Sequence, residues 1–446
     1  MIRLGTREAA ELLGGTLTGA DVPFEGCGMD TRTLPAGALF VALPGTRVDG
    51  HDFVERARER GAAAALVSRP VATTLPTVRV ADTREALGRL AANWRGRFRL
   101  PLVGVTGSNG KTTVKEMTAA VLGGLGPTLA TEGNLNNDIG VPLTLARLGP
   151  EHRFAVVEMG ANHPGEIASL CVLARPQVGV VTHCAPAHLE GFGSVEGVAR
   201  AKGELFQALP AEGTAVVNAD DAYAGLWTRI SAAGRRLTFG LEAAADVTGR
   251  WEPRDTGSRV HLVTPAGEAD LRLALPGRHN VMNALAAAAV ALALDVPLDA
   301  VVRGLESVRS VRGRLQVREA RGLRVLDDTY NANPGSVAAA LAVLATSPGR
   351  RWLVLGDMGE LGAESAELHR RMGRLAREAG VERLWTLGAL AALAAESFGD
   401  GGRPFPSHAA LAEALRSEAE PPATILVKGS RSMTMERVVE ALVGEG

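Results

Sequence analysis

The 446-residue chain sets 48 basic against 49 acidic side chains for a formal net charge of -1, a balance that excludes a general nucleic-acid or membrane-surface binder and leaves room only for a local basic pocket. At ~150 residues per domain the length predicts about three domains. The opening MIRLGTREAAELLGG has no signal-peptide pattern and the longest apolar stretch, Ala284 to Leu294, is too short to span a bilayer, so a soluble cytoplasmic protein is expected. Cys27, Cys171 and Cys184 are isolated and read as small buried hydrophobes rather than a disulfide or zinc framework.

Lysine is scarce. Only Lys111, Lys115, Lys202 and Lys428 occur, so each is a candidate for chemistry that a guanidinium cannot do. Lys115, four residues beyond Lys111 on a helix, is read as a solvated side chain.

Residues 1 to 81 read as a small α/β domain. Thr6 to Leu13 and Asp52 to Arg60 have helical patterns, and Ala38 to Ala42 and Ala63 to Val67 read as strands. The loops Asp30 to Arg32 and Gly45 to His51 are polar and glycine-bearing; turn chemistry accounts for them as well as ligand binding does.

Asp82 to Phe98, a helix with an Asp cap, opens the second domain, predicted to run to residue 311. Its centre is PLVGVTGSNGKTT, from Pro101 to Thr113. The apolar run Leu102 to Val105 predicts a buried strand, followed by glycines 104, 107 and 110, then Lys111-Thr112. Such a loop turns successive N–H groups inward for phosphate oxygens, and the following helix adds its positive end. Lysine places a charge on the outer phosphates and the Thr112 hydroxyl is placed for Mg²⁺. Val105 stands where the common P-loop has its first glycine, so the match is a variant, G-x-x-G-x-x-G-K-T. A plain glycine-rich turn leaves Lys111 unexplained.

Beyond the helix Val114 to Leu122, the amide-rich loop Thr131 to Gly140 suits a polar ligand, with an ordinary Asn-rich turn as the competing reading. Phe154 to Val157 is a second buried strand ending in Glu158, where a Mg²⁺ ligand would sit, with a helix or turn cap as the competing reading. Val178 to Val181 repeats the pattern, with His188 on the rim beyond it. Ala199 to Phe206 is helical and carries Lys202; Thr214 to Asn218 is a further strand. Asp246 to Leu275 predicts a small antiparallel excursion, and Gly277 to Asn283 opens a long alanine-rich helix.

From residue 312 to 446 the pattern is strand, helix, strand, helix. Leu323 to Leu326, Trp352 to Leu355, Arg383 to Thr386 and Thr424 to Val427 predict a doubly wound, Rossmann-like third domain with a mostly parallel sheet. Asp327 to Pro334, Gly356 to Glu360 and Lys428 to Arg431 fall beyond its strand ends, where ligands gather.

GVTGSNGKTT, VEMGA, AHLEGFGS, AKGELF, GRHNVMNALAA and a GR followed by DDTYNANP, in this order, resemble the Mur ligase family across all three domains. Within it, GNLNNDIGVP, DDTYNANPGS and LGDMGELG are most similar to the branch that joins D-Ala-D-Ala to UDP-N-acetylmuramoyl-tripeptide. The resemblance implies an α/β chain of three domains: a small UDP-substrate-binding domain, a central P-loop-type ATPase domain, and a C-terminal Rossmann-like domain that binds the acceptor. It also implies a two-step, ATP-dependent amide synthesis in peptidoglycan precursor formation, through an acyl phosphate, by a monomer.

By the same resemblance Gly107, Ser108, Asn109, Gly110, Lys111, Thr112 and Thr113 hold ATP, with Lys111 on the outer phosphates. Thr112 and Glu158 hold one Mg²⁺, and His188 with a carbamylated Lys202 a second. An ordinary lysine, pKa ~10.4, is neutral about once in 10³ at pH 7, so the fold must depress that pKa before CO₂ can react. Asn280 and Asn283 are implied at the adenine, with His279 shaping that turn, Arg314 at the phosphates and Asp328 at the ribose. Thr31, Arg32, Asp49 and His51 are assigned to UDP. Thr131, Asn134, Asn136 and Asn137 go to the muramoyl-peptide part, and Asn331, Asn333 and Lys428 to the dipeptide, Lys428 equally to a phosphate.

Two positions depart from the family pattern. Relatives often have Asn at His183, which stays unassigned, and other members place a lysine two residues after the aspartate matching Asp328, where this chain has Tyr330. A hinge is expected near Glu306 to Arg312, closing the third domain over the second. Rival readings are a sister ligase or folylpolyglutamate synthetase adding one amino acid, and an inactive ATP-binding scaffold.

Overall fold

The structure, a computed structural model, describes residues 1–45, 48–186, 188–254 and 256–444. Thr46 and Arg47, within the expected loop Gly45 to His51, lie outside the described residues. The N-terminal part carries a five-stranded sheet in the order Thr16–Thr18, Thr77–Arg79, Ala64–Val67, Leu39–Val41, Cys27–Gly28. The expected helix Asp52 to Arg60 divides into a 3-10 turn, Gly50–Phe53, and a helix, Val54–Glu59. The cause is local: the Asp49 carboxylate accepts from His51 N and starts the turn early.

Six parallel strands form the central sheet, in the order Arg235–Phe239, Thr214–Asn218, Val178–Val181, Leu102–Thr106, Phe154–Glu158, Thr128–Ala130. The inner strands are apolar because alternate residues enter two different cores. Leu102 and Val157 pack with Leu87, Leu90, Ile167 and Phe206 on one face, while Val103, Val105 and Val156 meet Val114, Met117, Val281 and Ala284 on the other. The first of these cores continues into the N-terminal part through Leu4, Leu39 and Val78. Helix Thr83–Arg95, capped by Asp82, bridges the two parts: the Arg89 guanidinium donates to Leu12 O and Leu13 O, and Trp94 Nε1 to Leu148 O.

The antiparallel excursion is a three-stranded meander, Thr248–Arg254, Gly257–Thr264 and Gly267–Leu273. Helix Arg278–Ala293 follows, most of it buried against the sheet.

The C-terminal sheet runs Gln316–Ala320, Leu323–Asp328, Ala423–Lys428, Arg350–Gly356, Arg383–Leu387, Gly402–Phe405. Its first strand is antiparallel and the rest are parallel. Four strands that the sequence reading omitted, Thr128–Ala130, Arg235–Phe239, Gln316–Ala320 and Gly402–Phe405, are the four edges of the two six-stranded sheets. Edge strands keep a solvated side and lack the continuous apolar run of inner ones.

Lys115 is a correction. Its side chain is 2% exposed and pairs with Glu116 rather than with solvent, so all four lysines lie partly or wholly inside the protein.

Candidate active site

Strand Leu102–Thr106 delivers the glycine loop to the C-terminal edge of the sheet, and helix Lys111–Gly123 leaves from it. Two glycines are required there for different reasons. Gly107 has φ +141° and a Cβ on it would overlap Thr182 Oγ1; Gly110 has φ +81° and a Cβ would overlap Asn283 Oδ1. The loop is fixed to the adjacent strand end: Ser108 N donates to His183 O at 2.7 Å, Ala185 N donates to Ser108 Oγ at 3.0 Å, and Thr182 Oγ1 donates to Asn109 O at 2.5 Å. Lys111 Nζ folds back to Gly107 O at 2.7 Å. Burial holds its pKa below the usual lysine value, against the pull of Glu158.

Glu158 is the last residue of its strand, in register with Val105. Its Oε2 accepts from Thr112 Oγ1 at 2.8 Å and its Oε1 from Asn136 Nδ2 at 2.8 Å. Among the described residues no group of three His, Cys, Asp or Glu side chains could hold a metal alone. A hydroxyl and a buried carboxylate beside a phosphate loop nonetheless suit Mg²⁺, which keeps waters and takes further oxygens from phosphates.

Lys202 lies on helix Val195–Gln207, started by Ser194 Oγ accepting from Gly197 N. It is 2% exposed, its Nζ is 3.3 Å from Ala161 O and 5.2 Å from the centre of the Phe192 ring, and no carboxylate lies within ion-pair range among the described residues. Burial first, then the charge of Lys111, bring its pKa down to about 7. His188 has φ +50° and its Nδ1 is 2.5 Å from Glu360 Oε2 of the C-terminal domain.

A cavity of about 1200 Å³ joins the phosphate loop, Glu158 and His188, while Lys202 lies behind its wall and does not line it. Ser108 to Thr113, Glu158, His188, Asn134, Asn136 and Asn137 open into it from the central domain, as do Asn280 and Asn283. From the C-terminal domain come Arg314, Asp328, Asn331, Asn333, Glu360 and Lys428. The two domains are already in contact across it. Arg314 NH2 donates to Thr112 Oγ1 at 2.9 Å, and Asn333 Nδ2 donates to Asn109 Oδ1 at 2.7 Å. The Arg314 guanidinium also stacks 4.2 Å from the Tyr330 ring centre, a use for the residue that departs from the family pattern. His279, on the cavity wall, is held neutral, its pKa pushed down to about 4 by burial and by Lys428.

Three expectations meet a different geometry. Lys428 Nζ is committed to Asp328 Oδ2 at 2.6 Å and Asn331 O at 2.8 Å, so it holds the loop that carries Asn331 instead of offering a free ammonium. Asp328 is correspondingly engaged by that lysine and by Leu315 N. Thr31, Arg32, Asp49 and His51 are not on the cavity wall. Arg32 pairs with Asp30, and His51 is buried with Nδ1 on Asp49 and Nε2 accepting from Ser68 N. Glu360 entered the sequence reading only within the strand-end loop Gly356 to Glu360 and the LGDMGELG match, with no role of its own, and Asn109 and Asn333 were assigned separately, to ATP and the dipeptide, without the contact between them.

The three parts of the chain match three family models: Mur ligase family, catalytic domain (residues 23–95), Mur ligase middle domain (105–291), and Mur ligase, glutamate ligase domain (313–431). The UDP-N-acetylmuramoyl-tripeptide--D-alanyl-D-alanine ligase of Escherichia coli K12 is 47% identical over the whole of both chains. MurF from Acinetobacter baumannii superposes with a TM-score of 0.94 at 35% identity, covering 100% of each chain, and Thermotoga maritima MurF, solved in complex with ADP, with 0.84 at 29%, covering 94% and 97%. The chain belongs to the Mur ligase family, with MurF members as its full-length relatives.

Proposed function

We propose that the chain is an ATP-dependent ligase that joins D-Ala-D-Ala to UDP-N-acetylmuramoyl-tripeptide, forming a C–N bond in peptidoglycan precursor synthesis. The carrying observation is one cavity into which the phosphate loop, the Asn134–Asn137 loop and Asn331 and Asn333 all open. The γ-phosphate of ATP passes to the tripeptide's terminal carboxylate, giving an acyl phosphate. The acceptor amine then attacks the carbonyl carbon, and phosphate leaves.

Two anions must approach each other in the first step, so the protein's contribution is positioning and neutralisation. Lys111 sits where the outer phosphates come against the loop, and Arg314 brings a second cation from the C-terminal domain to the same hydroxyl, Thr112. Thr112 and Glu158 would hold one Mg²⁺, and His188 with a carbamylated Lys202 a second. Bound there, the metal ions supply charge neutralisation and orientation of the phosphoryl oxygens. At a pKa of about 7 roughly half of Lys202 is neutral at pH 7 and able to add CO₂. The charge of Lys111, which disfavours the Lys202 ammonium, would favour a carbamate anion in its place.

Asn134, Asn136 and Asn137 are assigned to the muramoyl-peptide part, and Thr31, Arg32, Asp49 and His51 to the distant UDP end. Asn280 and Asn283 face the adenine, and Asn331 and Asn333 the dipeptide. A cytoplasmic monomer acting on small molecules, not on nucleic acid or membrane, fits the near-neutral charge and the lack, among the described residues, of a helix able to cross a membrane. The test is phosphate release from ATP with UDP-linked tripeptide and a panel of D-Ala-D-Ala, single amino acids and folates. Release with D-Ala-D-Ala alone supports the reading; preference for a single amino acid or a folate replaces it with a sister activity, and release with none with a scaffold.

A further inference from the structure

The contact between His188 and Glu360 joins two backbone outliers. Among the described residues seven non-glycine positions have positive φ, and two of them, His188 at +50° and Glu360 at +61°, face each other across the domain boundary. Such conformations persist only where the surroundings over-determine them, and they gather at functional sites.

Glu360 is aimed by its own domain. It follows strand Arg350–Gly356 in a turn held from several sides: the Asp357 carboxylate accepts from Ala391 N at 2.6 Å, Met358 N donates to the buried His369 Nε2 at 2.9 Å, and Ser430 N donates to Asp357 O at 2.9 Å. The Glu360 carboxylate itself has no ion-pair partner within its domain among the described residues.

The other acids on the cavity wall are occupied within their own domains: Glu158 serves Thr112 and Asn136, Asp328 serves Lys428, Asp220 accepts three backbone N–H groups, Glu116 pairs with Lys115, Asp138 with Arg84, and Glu166 with Asn162 N and its neighbour His163. Glu360 is the one of these whose partner is an imidazole of the opposite domain.

We propose that Glu360 is a positioning residue supplied by the C-terminal domain: its carboxylate accepts a hydrogen bond from His188 Nδ1–H, leaving Nε2 as the free ring nitrogen, so that the metal site on the central domain is completed by docking of the third. A histidine that binds a metal through one nitrogen commonly donates the other N–H to a carboxylate, which sets tautomer and ring orientation. Here that carboxylate arrives from another domain, which makes closure and metal affinity one equilibrium.

The inference rests on the reading of His188 as a metal ligand, and the test separates the two. Mn²⁺ binding is measured by electron paramagnetic resonance in bicarbonate buffer with ADP for the unaltered chain, His188→Ala and Glu360→Ala, and the His188 tautomer is read from ¹⁵N-histidine spectra. Glu360 is 62% exposed, so its replacement should not disturb folding. Glu360→Ala is expected to weaken the His188-dependent Mn²⁺ affinity about 10- to 100-fold and to shift the tautomer from Nδ1–H, with Glu360→Asp recovering part of both. If His188→Ala leaves Mn²⁺ binding unchanged, the ligand reading fails. If His188→Ala weakens binding while Glu360→Ala matches the unaltered chain in affinity and tautomer, the role of Glu360 is overturned.

Discussion

Asp328 and Lys428 stand at the matched ends of two parallel strands, in register, with Oδ2 and Nζ 2.6 Å apart. Their side chains are 14% and 3% exposed, so the pair is a buried charge lock under the loop that carries Asn331 and Asn333. Burial pushes the Asp328 carboxyl up from its usual range while the ammonium opposes that shift.

Removing one partner should therefore cost more than removing both. Lys428→Met is expected to destabilise the chain by about 3–5 kcal/mol, because Asp328 is left buried without a countercharge. Lys428→Met with Asp328→Asn should recover much of that loss. Urea unfolding of both single variants and the double variant measures the difference, and a double-variant loss equal to the sum of the two single losses would show that the pair is not coupled.

Gly110→Ala should damage nucleotide binding more than the fold. A side chain there meets the amide of Asn283 and sits at φ +81°, a strain of order 1–3 kcal/mol. The expected result is a raised KM for ATP, and because Asn283→Ala removes the overlapping oxygen as well as an adenine contact, the double variant should lose less than the sum of the two single losses. Steady-state kinetics of the single and double variants tests this.

Lys202→Arg keeps charge and loses chemistry, since a guanidinium stays protonated and cannot add CO₂. Activity should fall by about 10²–10³-fold, the scale of losing a preorganised electrostatic partner at the reacting group. Depleting dissolved CO₂ should lower the activity of the unaltered chain and leave the residual rate of the variant unchanged. Full activity in the arginine variant would remove the carbamate from the mechanism.

Arg314→Ala removes the cation that the third domain brings to Thr112. The expected loss is about 10²–10³-fold in kcat, with binding of ATP less affected. Small-angle scattering with an ATP analogue and UDP substrate should also show a less compact particle than the unaltered chain. A variant with unchanged kcat and compactness would sever the link between docking and catalysis.

His279 predicts an acid sensitivity with a definite sign. An ordinary histidine titrates near 6.5, whereas this one is held down to about 4. Between those values the unfolded chain binds a proton that the folded chain does not, so its contribution to stability is lost as pH falls from about 6.5 towards 4. His279→Gln should flatten that part of the stability profile, measured by thermal unfolding across pH 4 to 7; an unchanged slope would assign the acid sensitivity elsewhere.

The phosphate loop was legible in the sequence because its determinants are local. Gly107, Gly110, Lys111 and Thr112 lie within six residues, and the strand before them is apolar on both faces. The omitted strands, such as Arg235–Phe239 and Gly402–Phe405, are edges whose exposed arginines erase the apolar run. Lys115 was misread because nothing in its neighbours signals that a helix face with a charge on it would be packed inside.

The order of residues by itself determined the three α/β parts, the glycine cradle, the strand-end Glu158 and the scarcity that drew attention to Lys202. Those features follow from backbone conformation and burial period, which act over a few residues. Only the tertiary structure decided that Arg314 reaches Thr112, that Glu360 reaches His188 and that Lys428 is spent on Asp328. Such pairings join residues 100 to 202 positions apart or lie on separate domains, and they depend on how rigid bodies pack, which no local pattern encodes.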